Sequence, residues 1–495
     1  MKRNKIEEAL VEVRDEYIAE AAGVKKKPRF APWMGAVAAI LAVCICVGVL
    51  WRPGSTAIDP TAATTLPGSY IRPGLHLTYA IVTPEYPKLA LHPNEDDPAY
   101  LDGYKAWSYD QRALHDQPDG YADSLSAYFP RLTAQLLGNG EGENAVCAPL
   151  NTYLALAMLA EITAGDSQKQ ILDLLNAESA ETLRTQAGQV WKAHYNDDGR
   201  STSILGSSLW LNDRYTCNEE TAQTLADSYY ASVFRGNLGS TEMNEALRSW
   251  LSEQTGGMLD DYIATVGMKP ETELTLATTI YYSVRWHKAF EEKYNTEGIF
   301  HGTAGDTNET YMNQTTSDSY YWGDRFESID LFLQDGSTMW LFLPREGTTP
   351  EQLMSDGDIS DFLAQKPSIP NSSYENQKRV VLHLSLPKFE IGSDRDIAED
   401  LWALGLTDVF IPGAADFTPI LPDADAGSYI SAVRHAAKVG IDESGVTGAA
   451  YTLLQLDGSS GRPDDEVYLT FDRPFAFVIE SRDDLPLFAG IVNQP

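Results

Sequence analysis

One uncharged stretch divides this chain before any fold is considered. From Phe30 to Trp51 ("FAPWMGAVAAILAVCICVGVLW") 22 positions carry no charged residue, and as a helix rising 1.5 Å per residue they reach roughly 33 Å, the depth of a bilayer core. Lys25, Lys26, Lys27 and Arg29 precede the stretch, and a Pro/Gly/Ser/Thr-rich run follows it. The positive-inside bias therefore predicts a cytoplasmic tail over 1–29, a single membrane-spanning helix over 30–51, and everything after Arg52 outside the cell membrane. A cleaved signal peptide is the competing reading, but the charged leader is long for one, and "LAVC" lacks the small residue expected before a lipoprotein cysteine.

The tail places Ile6, Leu10, Val13, Tyr17 and Ile18 at helical spacing, the pattern of a surface or partner-docking helix. Residues 52–118 read as a linker or extension rich in proline, with aromatics such as Tyr79, Tyr86, Tyr104, Trp107 and Tyr109 that predict partial pinning to the domain. From 119 to 495 the chain reads as one large mixed α/β domain. "PLNTYLALAMLAEITAG" and "SQKQILDLLN" predict buried helices, and "TEMNEALRSWLSEQTGG" predicts a helix stopped by Gly256 and Gly257. "TLATTIYYSVRW", "TMWLFLP", "RVVLHLSLPKFEI", "EVYLTF" and "FAFVIESR" predict strands.

Charge and motifs narrow the function. With 71 acidic against 37 basic residues, a net charge of -34, and no basic stripe in the C-terminal four fifths, the chain is no nucleic-acid binder, since phosphate contacts need clustered cations. Four cysteines are too few for a disulfide framework; free thiols are expected, with a Cys147–Cys217 bridge as the alternative. No G-x-S-x-G elbow, P-loop, G-x-G-x-x-G or H-E-x-x-H is present, and "GSSG" at 458–461 lacks a strand-turn-helix frame. Neither a metal nor a cofactor is expected, and an enzyme is not indicated.

Seven segments in fixed order carry a specific likeness. They are "NAVCAPLNTYLALAMLAEITAGDSQKQILDLL", "LATTIYYSVRWHKAF", "MWLFLPREG", "LSLPKFEIGSDRDIAEDLWALGLTDVF", "ADFTPI", "ISAVRHAAKVGIDESG" and "FDRPFAFVIESRDDLPLFAGIVNQP". Collinear from about Gly120 to Pro495, they resemble the serpin family of serine protease inhibitors. The resemblance implies an α+β fold of three sheets and about eight or nine helices, with a reactive loop between a hinge after Glu443 and the strand at Glu466. It further implies a suicide substrate: a target serine protease cleaves the loop, is held as an acyl-enzyme in a covalent complex, and the loop inserts as a new strand, the kind of strand addition and strain release these inhibitors exemplify. By the same likeness the hinge comprises Glu443, Gly445, Val446, Thr447, Gly448, Ala449 and Ala450. Trp286 stands at the breach, and Asn151, Thr278 and His435 stand at the shutter. Asn151 replaces part of a serine-rich motif there and Thr278 replaces a common asparagine.

Whether the loop can become a strand is answerable from its pattern. Starting at Val446, every second residue (Val446, Gly448, Ala450, Thr452, Leu454, Leu456) is small or apolar and uncharged, while Tyr451 and Asp457 fall on the opposite face. No proline interrupts 446–460, so each backbone N–H can join a ladder; Gly445 is expected to supply hinge latitude. The family spacing places the scissile bond at Ser459–Ser460, with Leu456–Asp457 and Arg462–Pro463 as fallbacks. The expectation is a monomeric, membrane-anchored protease inhibitor, for which a bacterial host is a fitting source. A non-inhibitory serpin acting as a binding module is the first alternative, and a hydrolase of unfamiliar type the second.

Overall fold

The computed structural model describes residues 74–93, 100–140, 142–365, 375–424, 427–430, 432–446 and 465–495. The expected span at 30–51 and most of the expected reactive loop lie outside the described residues. Among those described, no helix is long and apolar enough to cross a membrane.

The strands, in chain order, are β1 (Ala80–Val82), β2 (Ala145–Cys147), β3 (Asn196–Asp197), β4 (Thr202–Asn212), β5 (Ala231–Gly236), β6 (Leu274–Arg285), β7 (Thr296–Gly302), β8 (Gly305–Trp322) and β9 (Phe326–Phe332). They continue as β10 (Thr338–Pro344), β11 (Gln377–Pro387), β12 (Phe389–Asp396), β13 (Arg434–Ile441), β14 (Gly445–Val446), β15 (Glu466–Thr470), β16 (Phe475–Glu480) and β17 (Pro486–Val492). One sheet has the order β1-β5-β4-β6-β14-β13-β12, with β3 on β4; the other has β15-β11-β8-β9-β10-β16-β17-β2, with β7 on β8.

Two sheets among the described residues replace the three expected, and β8 is the reason. Over its 18 residues it pairs first with β7 (305–311), then with β11 (311–321), and at Tyr321 and Trp322 with β9. One long strand thus joins what would otherwise be two sheets. The described residues hold eleven α-helices, more than the eight or nine expected, several of them only four to six residues long.

Helix Pro149–Glu161 begins with proline at its first turn, where no N–H is lost. Eleven of its thirteen residues are buried, because it packs against β6 of one sheet and β17 of the other. A helix apolar all round belongs between layers. The stretch read as one strand, "RVVLHLSLPKFEI", is two: β11 ends at Pro387, which has no N–H to donate, and after Lys388 the chain enters the other sheet as β12.

The extension is more ordered than a linker. Its β1 pairs with β5 and forms the edge of the first sheet. Tyr86 stacks on Trp191 at 5.4 Å, and the 16-residue helix Tyr100–His115 packs on helix Ala180–His194, where His115 Nε2 donates to the Tyr195 carbonyl at 2.7 Å. Tyr109, by contrast, is exposed. Cys147 and Cys217 are both free, and burial pushes the Cys147 thiol up to about 12, so it stays protonated and inert.

Candidate functional site

The residues expected to form the hinge are assembled where β13 gives way to β14. Asp442 opens the turn: its Oδ1 accepts from the Ser444 N–H (2.7 Å) and the Gly445 N–H (3.2 Å), a local side-chain cap. Trp286, buried at the end of β6, donates Nε1–H to the Asp442 carbonyl at 2.8 Å, and its backbone N–H donates to the Ser444 carbonyl at 2.9 Å. Phe290 meets the Trp286 ring edge-on and donates its N–H to the Glu443 carbonyl at 2.9 Å.

The Glu443 carboxylate is clamped as well. Lys388 Nζ lies 2.5 Å from Oε1, and the Asn295 amide donates to the same oxygen. Burial opposes ionisation of Glu443, but the bonds from Lys388 and Asn295 outweigh it and leave the carboxyl below its usual range.

Beyond the clamp the chain enters the first sheet. Gly445 faces Arg285, and Val446 lies between Val284 of β6 and Ile441 of β13. Among the described residues β14 comprises Gly445 and Val446, beside the twelve residues of β6 and the eight of β13. Among the described residues no pairing joins β6 to β13 directly; β14 is what stands between them. Gly445 is there for space and not, as expected, for latitude alone: a Cβ would sit 2.2 Å from the Val284 carbonyl oxygen and 2.6 Å from Arg285 Cα.

Lower in the sheet, His435 of β13 is buried and its Nε2 accepts the Ala148 N–H at 3.1 Å, which requires an unprotonated Nε2. Burial first, and the Arg395 guanidinium second, lower its pKa to about 4. Asn151, in the first turn of helix Pro149–Glu161, is buried, and its Oδ1 has no hydrogen-bond partner among the described residues. Thr278 pairs with Ser207 across β6 and β4.

A family model described as "Serpin (serine protease inhibitor)" matches residues 126–495. The chain belongs to the serpin family. It is 28% identical to putative serpin-Z5 of Oryza sativa subsp. japonica over 389 residues, covering 72% of this chain and 86% of that relative. It is 26% identical to plasminogen activator inhibitor 1 of Sus scrofa, covering 73% and 89%. Among solved structures, the thermophilic serpin tengpin in its native state matches with a TM-score of 0.67 at 24% identity, covering 77% of this chain and 95% of that one, a likeness of fold.

The structure of this serpin brings Glu443, Gly445, Val446 and Trp286 into one cluster. It links His435 to the start of the Pro149 helix through the Ala148 backbone. Neither Asn151 nor Thr278 bonds to His435 among the described residues; the Ala148 main-chain N–H does. Thr447, Gly448, Ala449, Ala450, Leu456, Ser459, Ser460 and Arg462 lie outside the described residues. Lys388, Asn295 and Asp442 were not singled out from sequence; Lys388 lay within the quoted "LPKF", but nothing local announces a partner at position 443.

Proposed function

We propose that this serpin inhibits serine proteases as a suicide substrate. The protease serine attacks a loop carbonyl, with Ser459 the preferred acyl donor and Leu456 and Arg462 the alternatives. The peptide bond breaks, the amine of the following residue leaves with the proton, and the loop continues β14 between β6 and β13 before the ester hydrolyses. The observation that carries this reading is the seat of Gly445 and Val446: the leading end of the loop already occupies the strand position between β6 and β13, and the alternation beyond it is uncharged on one face. We further propose that 30–51 tethers the inhibitor to the cell membrane with the domain outside.

The test is incubation with a panel of serine proteases. An SDS-stable complex, with a loop fragment whose mass fixes the bond, is the expected result. Cleavage without a complex and without a gain in thermal stability would instead identify a non-inhibitory member, and turnover surviving replacement of the whole loop a hydrolase. Partition of the full chain into the membrane fraction, with the domain open to added protease on intact cells, tests the tether.

A further inference from the structure

The extension does more than cover the body: it closes a cavity. Between helix Tyr100–His115 and the main domain lies a space of about 330 Å³, enough for a small ligand, whose pockets begin at roughly 300 Å³. The helix wall lies outside the span 126–495 that the family model matches.

The charged groups in its walls are already engaged. The Arg200 guanidinium donates to Gln334 Oε1 at 2.9 Å and to His92 Nε2 at 2.8 Å, and Arg482 faces the Asp483 carboxylate at 3.7 Å. Asp198 Oδ1 accepts from the Arg200 and Ser201 backbone N–H groups (2.9 Å each), and Asp335 accepts from the Tyr282 hydroxyl and the Ser337 N–H. Burial lowers the pKa of His115 and of His194, which keeps both rings neutral. Two guanidinium groups are thus matched by two carboxylates, and the walls favour neither an anion nor a cation.

What is spare is uncharged and of both kinds. On the helix, Trp107 Nε1 and Gln111 Nε2 are donors; on the body, Asn196 Oδ1 is an acceptor and the Ser203 hydroxyl serves as either. None of these four atoms has a hydrogen-bond partner among the described residues. Gln111 and Ser203 are only 8% and 5% exposed. Buried polar groups are seldom left in this state, so two on each side of one space mark a site built to be filled.

A hydroxyl both gives and takes a hydrogen bond. A ring bearing several of them answers the donors of the helix and the acceptor of the body together, whereas a carboxylate offers acceptors alone and an ammonium donors alone. The remaining wall is aromatic: the Trp107 and Tyr104 ring centroids are 5.4 Å apart, and His92 meets Trp107 edge-on at 4.6 Å. The C–H face of a saturated sugar ring stacks on the electron-rich face of such rings.

We propose that this cavity binds a neutral polyhydroxylated ring, a monosaccharide or cyclic polyol, held between the extension helix and the inhibitor body. The test uses the whole chain, read by titration calorimetry and thermal unfolding. The probes are D-glucose, D-galactose, D-mannose, N-acetyl-D-glucosamine and myo-inositol, with tetrahydropyran as the ring without hydroxyls and D-glucuronate as the charged counterpart. At least one neutral probe binds and raises the unfolding temperature, tetrahydropyran does neither, and D-glucuronate binds no more tightly than D-glucose. Gln111→Leu and Trp107→Phe each delete one donor at nearly constant shape, and Ser203→Ala deletes the hydroxyl on the body side. Each weakens binding of that probe roughly three- to tenfold, the share of one neutral hydrogen bond, while the unfolding temperature without sugar stays near that of the parent, which separates a lost contact from a lost fold. Absence of binding by every neutral probe at tens of millimolar overturns the proposal. So does binding that none of the substitutions changes, and so does tighter binding of D-glucuronate than of D-glucose.

Discussion

The Lys388 ammonium lies 2.5 Å from Glu443 Oε1, tying the strap between β11 and β12 to the residue two places before β14 begins. Glu443 is buried, while the Lys388 side chain is over one third exposed, so the pair is worth less than a fully buried one. Glu443→Lys replaces an attraction with a repulsion and strands the Asn295 amide. It should lower stability by about 1–3 kcal/mol, seen as an earlier urea midpoint. Glu443→Gln, which keeps a bond to Asn295, should cost less than half as much. Equal losses in the two variants would mean that charge is not what Lys388 supplies.

Gly445 makes the sharper steric prediction. Its missing Cβ leaves room for the backbone of Val284 and Arg285, and backbone cannot swing aside as a side chain can. Gly445→Ala should destabilise by about 1–3 kcal/mol and slow complex formation with a susceptible protease. Gly440→Ala is the control, because a Cβ there meets Glu390 Cγ at an ordinary 3.5 Å; its unfolding midpoint should stay near that of the parent.

How legible these features were depends on the range of the interaction. Helix Pro149–Glu161 could be read because burial on all sides writes an apolar run. The helix Tyr100–His115 could not: it exposes Leu101, Tyr104 and Tyr109 and buries the polar Gln111 and His115, so no apolar stripe marks it and packing holds it more than periodicity does. β8 is hidden for a related reason. "GDTNETYMNQTTSDSYYW" is half-solvated along most of its length, and its strand state is imposed by partners on both edges. Trp286 and Glu443 were found through likeness, yet the bonds joining them through residues 290, 388 and 442 cross the chain. No local pattern encodes such pairings.

His435 links stability to pH. Its folded pKa is lowered to about 4 from 6.5, so the unfolded chain binds a proton that the folded one excludes. That contribution is fully present above pH 6.5 and is lost as pH falls through about 4. A shift of this size corresponds to roughly 3 kcal/mol. His194, likewise buried and lowered to about 4, acts in the same direction. Unfolding free energy measured from pH 7 to 4 should therefore fall steeply, and His435→Gln, which keeps an acceptor for the Ala148 N–H, should remove about half of the slope. An unchanged slope in that variant would assign the titration elsewhere.

Val446 stands at the head of the segment proposed to insert, and one substitution there separates binding from trapping. Its side chain is 2% exposed between Val284 and Ile441. A carboxylate at this position would have to enter the core unpaired, at a cost of several kcal/mol, or stay in water and keep the loop out of the sheet. The second course avoids that desolvation cost. Val446→Glu should then leave the proposed cleavage sequence at 456–462 unchanged, so a susceptible protease still cuts it. With insertion impeded, the acyl-enzyme hydrolyses first. The expected outcome is a shift from SDS-stable complex to free cleaved chain, with little change in the cleavage rate, read from a time course on gels. A complex yield equal to that of the parent would show that the seat of Val446 is not on the insertion path.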